Sequence, residues 1–316
     1  MNKRQSNIEL LRIISIFLIM VVHATYLTFG TPTPHEIQAK PLGSFFFIGL
    51  ENVSVICVDI FVLISGWFGI HPKVKSIGGL LFQCVYFGLI MAIFFGVTGI
   101  QPLGATTLAK CMVNYPHFVM CYIVMYLMTP VLNAFVEHAS RIQFRNMLIG
   151  LYSWAFIFGW FIHNDDSFAG GNSALAFMGL YLLARYIRIH CTFPARLQKA
   201  RVWGVIWLAN VLIVTAAVWA SSYFGFSLKV SNVLLNMTTS YLSPNVILAA
   251  ISLLMCFAHF EFKSTAVNRI AVSAFASVLT HGYAMSNVYI PLIQDLYKAS
   301  PFVTFLCEAV GIMLAY

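Results

Sequence analysis

The chain has 316 residues, of which 60% are apolar and only 9% are charged. Charged residues make up about a quarter of a typical soluble domain, so this composition excludes a soluble globular protein and predicts a polytopic membrane protein. The formal charge of +8 does not indicate a nucleic-acid partner, because the basic residues are scattered between apolar segments and form no continuous stripe.

The apolar residues fall into long runs that predict membrane-spanning helices. A helix needs about 20 residues to cross a bilayer, so the chain has room for about ten crossings with short connections. We therefore predict an all-α fold, a polytopic membrane helix bundle of about ten transmembrane helices that forms a single domain over residues 1–316. The predicted helices cover about Ile8–Phe29, Gly43–Gly69, Ile77–Gly99, His117–Val136, Met147–Ile162, Ser173–Ile187, Val202–Phe224, Val246–Phe260, Ile270–Tyr289 and Phe302–Tyr316.

The basic residues predict the orientation of this bundle. All Lys and Arg residues except Lys40, Lys110, Lys229 and Lys298 fall on one side of the predicted topology, and such an excess marks the cytoplasmic side. Both termini are therefore expected in the cytoplasm. The last predicted helix is only about 22 Å long, shorter than a hydrocarbon core of about 30 Å, so we expect either a tilted helix or a chain that has been cut short.

The first predicted helix carries two polar groups at membrane depth, Arg12 and His23. They are eleven residues apart, which places them about 20° apart on one helix face and roughly 16 Å apart along the axis. Ionisable groups in a membrane helix usually face a bundle interior or a wet cavity and have a function. The alternative is a secretory signal peptide, but Glu9, Arg12 and His23 interrupt its apolar run.

Several residues of these helices are candidates for chemistry. His23 is the best candidate for a general base, because neutral imidazole accepts a proton near neutral pH; otherwise it is a core histidine bonded to a carbonyl. Arg12 either binds an anion such as a phosphate or pairs with Glu9 one turn earlier. Asp59 lies near the middle of the second predicted helix, where it either orients or charges His23 or Arg12 or forms a structural ion pair.

Further histidines and the cysteines have simpler alternatives. His117 opens a helix on the outer side and is a candidate contact for an extracytoplasmic substrate, and His281 is a weaker candidate of the same kind; both also fit ordinary interfacial histidines. The seven cysteines show no CxxC spacing, so we interpret them as small core residues and predict neither disulfides nor a metal site.

Two sequence blocks resemble one known family. The segment Asn7–His23, in which ten residues separate an arginine from a histidine, resembles the opening helix of the acyltransferase family 3 membrane proteins. Val58–Phe68 resembles the family's run of aspartate, aromatic residue, leucine, serine and glycine. His117–Pro130, Leu180–Arg188 and His281 are similar to later parts of the family, so the resemblance spans nearly the whole chain.

This resemblance implies an O-acetyltransferase of bacterial surface carbohydrates in the bacterial cytoplasmic membrane, surrounded by lipid and using acetyl-CoA as acyl donor without a metal. His23 and Asp59 are the implied catalytic residues. The implied cofactor-binding residues are Arg12, Ser65, Lys73, Arg185 and Arg188. The implied residues for binding a carbohydrate or lipid-linked sugar acceptor are His117, Tyr122 and His281. Direct transfer and a covalent acyl-enzyme both remain open.

Two other function classes remain open. In a proton-coupled transporter or flippase of a polysaccharide or small solute, Asp59 and His23 would relay protons; such folds often contain broken helices near the middle of the membrane. In a noncatalytic assembly subunit, loss of Arg12 or His23 would change little beyond stability. Binding of acetyl-CoA distinguishes the enzyme from the transporter.

Overall fold

The computed structural model describes residues 5–113, 117–162, 166–284 and 288–299. All regular structure in these ranges is helical, which confirms the all-α prediction. The α-helices are Ser6–Ala24 (α1), Tyr26–Phe29 (α2), Pro34–Ala39 (α3), Pro41–Ser54 (α4), Cys57–Phe68 (α5), Val74–Val97 (α6), Ala105–Val113 (α7), His117–His138 (α8), Arg141–Trp154 (α9), Ala174–His190 (α10), Ala200–Tyr223 (α11), Leu228–Thr239 (α12), Pro244–Ala258 (α13), Thr265–Ala284 (α14) and Ile290–Ala299 (α15).

Six helical segments in the described ranges are long and apolar enough to cross a membrane: Ser6–Phe29, Pro41–Phe68, Val74–Val97, His117–His138, Ala200–Tyr223 and Val230–Ala258. About ten were expected. Helices α9 and α10, which correspond to two further predicted spans, have only 14 and 17 residues, although a π-helical segment, Ala155–Phe161, extends α9. The predicted last span, Phe302–Tyr316, lies outside the described residues.

Three of the spans are interrupted, which the sequence analysis did not predict. The first span breaks at Thr25, between α1 and α2, and the second at residues 55–56, between α4 and α5. The predicted outer connection around Lys229 is instead helix α12, which is joined to α13 through the break 240–243. Likewise the predicted loop from Pro291 to Lys298 forms α15.

Helices α1 and α14 run side by side in the same direction. At one end, the Ser6 hydroxyl accepts a hydrogen bond from the Ser264 backbone N–H at 3.0 Å. At the other end, the rings of His23 and His281 are in contact. Both pairs are separated by 258 residues, so the two helices keep one register along their length. We call the end with Ser6 the basic end and the end with His23 the histidine end.

Helix α5 lies in the centre of the bundle, where Ile60, Leu63 and Ile64 are almost completely buried. Its Gly66 allows α10 to approach closely, because a Cβ atom at this position would stand 2.4 Å from the Tyr181 carbonyl oxygen. Helix α5 begins at the histidine end and finishes at the basic end. It therefore connects the two regions that hold the candidate site residues.

Candidate functional site

The histidine end contains a cavity of about 350 Å³ within the bundle. This volume is within the range of small-molecule sites, about 300–1,000 Å³. Its lining includes polar and aromatic residues from distant parts of the chain, among them His23, Tyr26, Glu51, His117, Asn172 and Tyr241. Two residues that the sequence analysis singled out independently, His23 and His117, therefore face the same space.

His23 is paired with His281 at the wall of this cavity. The His23 Nδ1 and His281 Nε2 atoms are 2.7 Å apart, so one ring donates a proton to the other. Tyr289 supports the pair: its ring packs edge-on against His281, with the centroids 4.4 Å apart, and its hydroxyl donates to the Met20 carbonyl at 3.0 Å. Because Nδ1 of His23 is used, Nε2 is the ring nitrogen that remains for a bound molecule.

The end of α1 explains why His23 lies at an opening. The chain departs from the helix at Thr25, and the last carbonyl groups of a helix need other partners. The Thr28 hydroxyl donates to the His23 carbonyl oxygen, and the Thr25 hydroxyl donates to the Val21 carbonyl at 2.9 Å. The break is thus satisfied locally, and the His23 side chain is held beside the cavity.

Glu51 lines the cavity as well, and the sequence analysis did not select it. The residue is 1% exposed, and neither carboxylate oxygen has a hydrogen-bond partner in the described part of the chain. The next residue fixes its position, because the Asn52 amide donates to the Val211 carbonyl at 3.0 Å and to the Thr215 hydroxyl at 3.4 Å. Helix α4 is thereby clamped to α11.

A turn before α10 forms another part of the cavity wall. The His117 Nε2 atom donates to the Asn172 carbonyl oxygen at 2.8 Å, which fixes the start of α8. The adjacent Gly171 has a φ of +95°, and a Cβ atom there would stand 2.6 Å from the Leu242 nitrogen. Glycine is therefore required for this turn to pack against the break between α12 and α13.

Asp59 is placed differently from the expectation. It is completely buried, and its carboxylate has no hydrogen-bond partner among the residues described. The expected pairing with His23 or Arg12 is not present. Asp59 instead lies within electrostatic range of Tyr152, on α9, and of Tyr241, in the break between α12 and α13.

Arg12 lies at the basic end and forms the ion pair with Glu9 that was one of its two expected roles, with 3.2 Å between Nη1 and Oε1. It is also within electrostatic range of Tyr122, whose hydroxyl is 3.1 Å from the Ser65 hydroxyl. Tyr122, an expected acceptor contact, is therefore grouped with the expected cofactor residues Arg12 and Ser65. Arg12 shares a helix with His23 but does not line the His23 cavity.

The remaining expected cofactor residues gather where α5 ends. The Arg188 guanidinium lies 4.5 Å from the centroid of the Trp67 ring. The Arg185 guanidinium packs against Gly69, since Nη1 would be 3.2 Å from a Cβ atom at that position. The Lys73 backbone N–H donates to the Tyr126 hydroxyl at 2.9 Å. Two guanidinium groups and the Lys73 position thus surround one end of a central helix.

Comparisons with protein-family models, with curated proteins and with solved structures found no match to this chain. The likeness to acyltransferase family 3 therefore depends on the sequence motifs alone.

Proposed function

We propose that this protein is a membrane acyltransferase. It would move an acyl group, acetyl according to the motif resemblance, from a cytoplasmic acyl-CoA to a hydroxyl of an extracytoplasmic or lipid-linked carbohydrate. The supporting observation is the His23–His281 pair at the wall of a cavity, with the guanidinium groups of Arg12, Arg185 and Arg188 at the opposite end of the bundle. The excess of Lys and Arg on that side supports a basic end that faces the cytoplasm. The membrane would be the bacterial cytoplasmic membrane, as the motif resemblance implies.

The histidine pair suits proton transfer. When the His23 Nδ1–H donates to His281 Nε2, the lone pair on His23 Nε2 is available to take the proton of an acceptor hydroxyl. The resulting oxygen nucleophile attacks the thioester carbonyl. A C–O bond forms, the C–S bond breaks, and the CoA thiolate leaves and recovers the proton from His23. His281 keeps the His23 ring in the tautomer whose Nε2 can accept this proton.

The basic end suits the donor. Arginine forks bind phosphate oxygens well, and Arg12 is roughly 16 Å from His23 along α1 at helical rise. A donor whose phosphates lie at the basic end would therefore have to extend its thioester along the bundle to reach His23. Arg185 Nε, a buried donor with no partner in the described ranges, supports an anionic ligand beside the end of α5.

A direct test is acyl transfer by the purified full-length protein in lipid nanodiscs. Labelled acetyl-CoA is supplied with glycan extracts, and products are detected by mass spectrometry as a gain of one acetyl group. His23→Ala should abolish transfer, since positioned acid–base groups contribute about 10²–10⁴-fold. His138→Ala, which removes an exposed ring bonded to the Ala134 carbonyl, is the control. Normal transfer by His23→Ala would overturn the proposal.

One observation favours a second candidate, a proton-coupled transporter or flippase. The breaks at Thr25, at residues 55–56 and at 240–243 lie near a cavity, and the carboxyl groups of Glu51 and Asp59 are buried close to these breaks. Broken helices and buried carboxylates are typical of transporters. Acetyl-CoA binding separates the two functions, because a proton-coupled exporter has no use for this molecule.

A further inference from the structure

Two residues that line the cavity at the histidine end carry hydrogen-bond acceptors that no described residue satisfies. Both oxygens of Glu51 and the Oδ1 atom of Asn172 are buried without a partner in the described ranges, and both residues line the cavity. Leaving such groups unpaired away from water costs free energy. A bound molecule that supplies hydrogen-bond donors would remove this cost.

Most donors along the same lining are already used. The His117 ring N–H donates to the Asn172 carbonyl, and the hydroxyls of Thr238 and Thr239 donate to the Leu235 carbonyl. The phenols of Tyr26 and Tyr241 and the side-chain amide of Asn172 are what remains. Each hydroxyl of a neutral sugar brings lone pairs as well as a proton, whereas an ammonium group brings three donors and no acceptor. The unpaired acceptors of Glu51 and Asn172 therefore match an ammonium group, while the remaining donors match the hydroxyls of the same sugar.

The charge around the cavity points in the same direction. No Lys or Arg occurs among its described lining residues, while Glu51 lines it and Asp59 lies within electrostatic range of the lining residue Tyr241. A buried carboxylate without a partner is unfavourable, and a cation that both neutralises it and hydrogen-bonds to it is the matching ligand. The clamp of Asn52 to α11 holds the Glu51 backbone in place before any ligand arrives.

We infer that Glu51 binds a protonated primary amine on the acceptor, with Asn172 Oδ1 as a second hydrogen-bond acceptor, so that the acceptor is an amino sugar and not a neutral sugar. The inference rests on the proposed function, because that function makes this cavity the acceptor site. The protonated amine has no lone pair, so it positions the sugar while a hydroxyl beside His23 remains the nucleophile.

The test is equilibrium binding to the purified full-length protein in nanodiscs by isothermal titration calorimetry at pH 7. The probes are D-glucosamine, D-glucose and N-acetyl-D-glucosamine, which share a ring and differ at one substituent. We expect glucosamine to bind about tenfold or more tightly than the other two, because hydrogen bonds to charged groups are the stronger ones. Equal affinities for the three sugars would overturn the inference. This measurement needs no variant of the protein.

A nearly isosteric substitution tests the residue itself. Glu51→Gln should weaken glucosamine binding about tenfold or more and leave glucose binding unchanged. Its melting temperature should equal or exceed that of the parent protein, because the carboxylate has no hydrogen bond to a described residue that the substitution could remove. Glu137→Gln, at an exposed glutamate of α8, is the matched control. Unchanged glucosamine binding, or a large loss of thermal stability in Glu51→Gln, would overturn the inference.

The outcomes separate this inference from the proposed function. If the three sugars bind equally while acetyl transfer depends on His23, only the inference fails. If glucosamine binds through Glu51 but acetyl-CoA neither binds nor reacts, only the acyltransferase proposal fails.

Discussion

A buried hydrogen-bond network at the basic end contrasts with two buried carboxyl groups at the histidine end. At the basic end, the Tyr181 hydroxyl accepts from the Ile70 N–H at 3.1 Å and donates to Asn133 Oδ1 at 2.7 Å. The Asn133 amide in turn donates to the Ile70 carbonyl at 2.8 Å. At the histidine end, Glu51 and Asp59 remain without such partners within the described ranges.

This difference separates polar groups that stabilise the fold from groups available to a ligand. A satisfied network holds α8, α10 and the segment that follows α5 together, and removing one member leaves the others unpaired. A buried polar group without a hydrogen-bond partner lowers the stability of the ligand-free protein, because its hydrogen bonds to water have been lost. Arg185 is an exception at the basic end, since its Nε atom has no partner among the described residues, and it is also one of the residues expected to bind the donor.

The largest expected effect is on catalysis at the histidine end. His281→Ala removes the ring that holds His23 Nδ1 at 2.7 Å, so we expect acyl transfer to fall about 10²-fold, at the lower end of acid–base contributions. Because the acid–base partner of His23 changes, the midpoint of the pH–rate profile should move as well. The KM for acetyl-CoA should stay constant, since the proposed donor contacts lie at the other end.

Steady-state kinetics across pH values from 5 to 9 measure these quantities. His138→Ala serves again as the control, because its ring is exposed and is hydrogen-bonded to the Ala134 carbonyl of its own helix. A variant with normal rates and an unchanged pH profile would show that His281 only fills space. The His23–His281 pair would then have no catalytic role at the histidine end.

The next largest effect is on stability. Two tyrosine-to-phenylalanine changes compare a hydrogen-bonded buried hydroxyl with one that has no partner among the described residues. Tyr181→Phe leaves Asn133 Oδ1 and the Ile70 N–H without their partner, so we expect a loss of about 2 kcal/mol. Tyr152→Phe removes a buried hydroxyl that has no partner in the described ranges, so the free energy of unfolding should stay within about 0.5 kcal/mol or increase. Thermal unfolding in one detergent measures both.

Similar losses in the two variants would contradict the distinction drawn between the ends. A loss in Tyr152→Phe alone would show that this hydroxyl stabilises the folded protein, which would also contradict the distinction. The two changes remove the same atom from the same residue type. Their difference therefore reports the surroundings and not the chemistry of the substitution.

The sequence predicted helical periodicity well and long-range pairing poorly. Because residues eleven apart share a helix face, the sequence could place Arg12 and His23 on one face of the same helix. The contact of His23 with His281 could not, since it depends on α1 and α14 lying parallel across 258 residues. The Arg12–Glu9 ion pair, by contrast, is local and was among the expected roles.

The missed features share a physical cause. The break at residues 55–56 contains neither proline nor glycine, so no local signal marked it, and Glu51 beside it was indistinguishable from any isolated carboxylate in an apolar helix. The polar residues of α12 predicted a connection, but its apolar Leu234 and Leu235 pack against the buried residues Ile48 and Val214. Tertiary packing, which a single sequence does not display, decided both segments.

The smallest expected effect lies outside both ends, at the exposed helix α3. Its capping box joins Thr33 and Glu36: the Thr33 N–H donates to Glu36 Oε2 at 2.8 Å, and the Glu36 N–H donates to the Thr33 hydroxyl. The hydrogen bonds from Thr33 lower the pKa of Glu36 below its ordinary value of 4.5. The cap is therefore fully formed above about pH 4.5 and is lost as the pH falls through the lower folded-state value.

Hydrogen exchange of the α3 amides, expressed as protection relative to an unstructured peptide, should decrease on acidification by no more than about 0.5 kcal/mol. The capping box of α9 provides the control within the same molecule, because Gln143 occupies the position of Glu36 and does not titrate. Glu36→Gln should transfer that behaviour to α3, since glutamine also completes a capping box. Acid-dependent protection of α3 that persists in Glu36→Gln would assign the effect to a group other than this carboxylate.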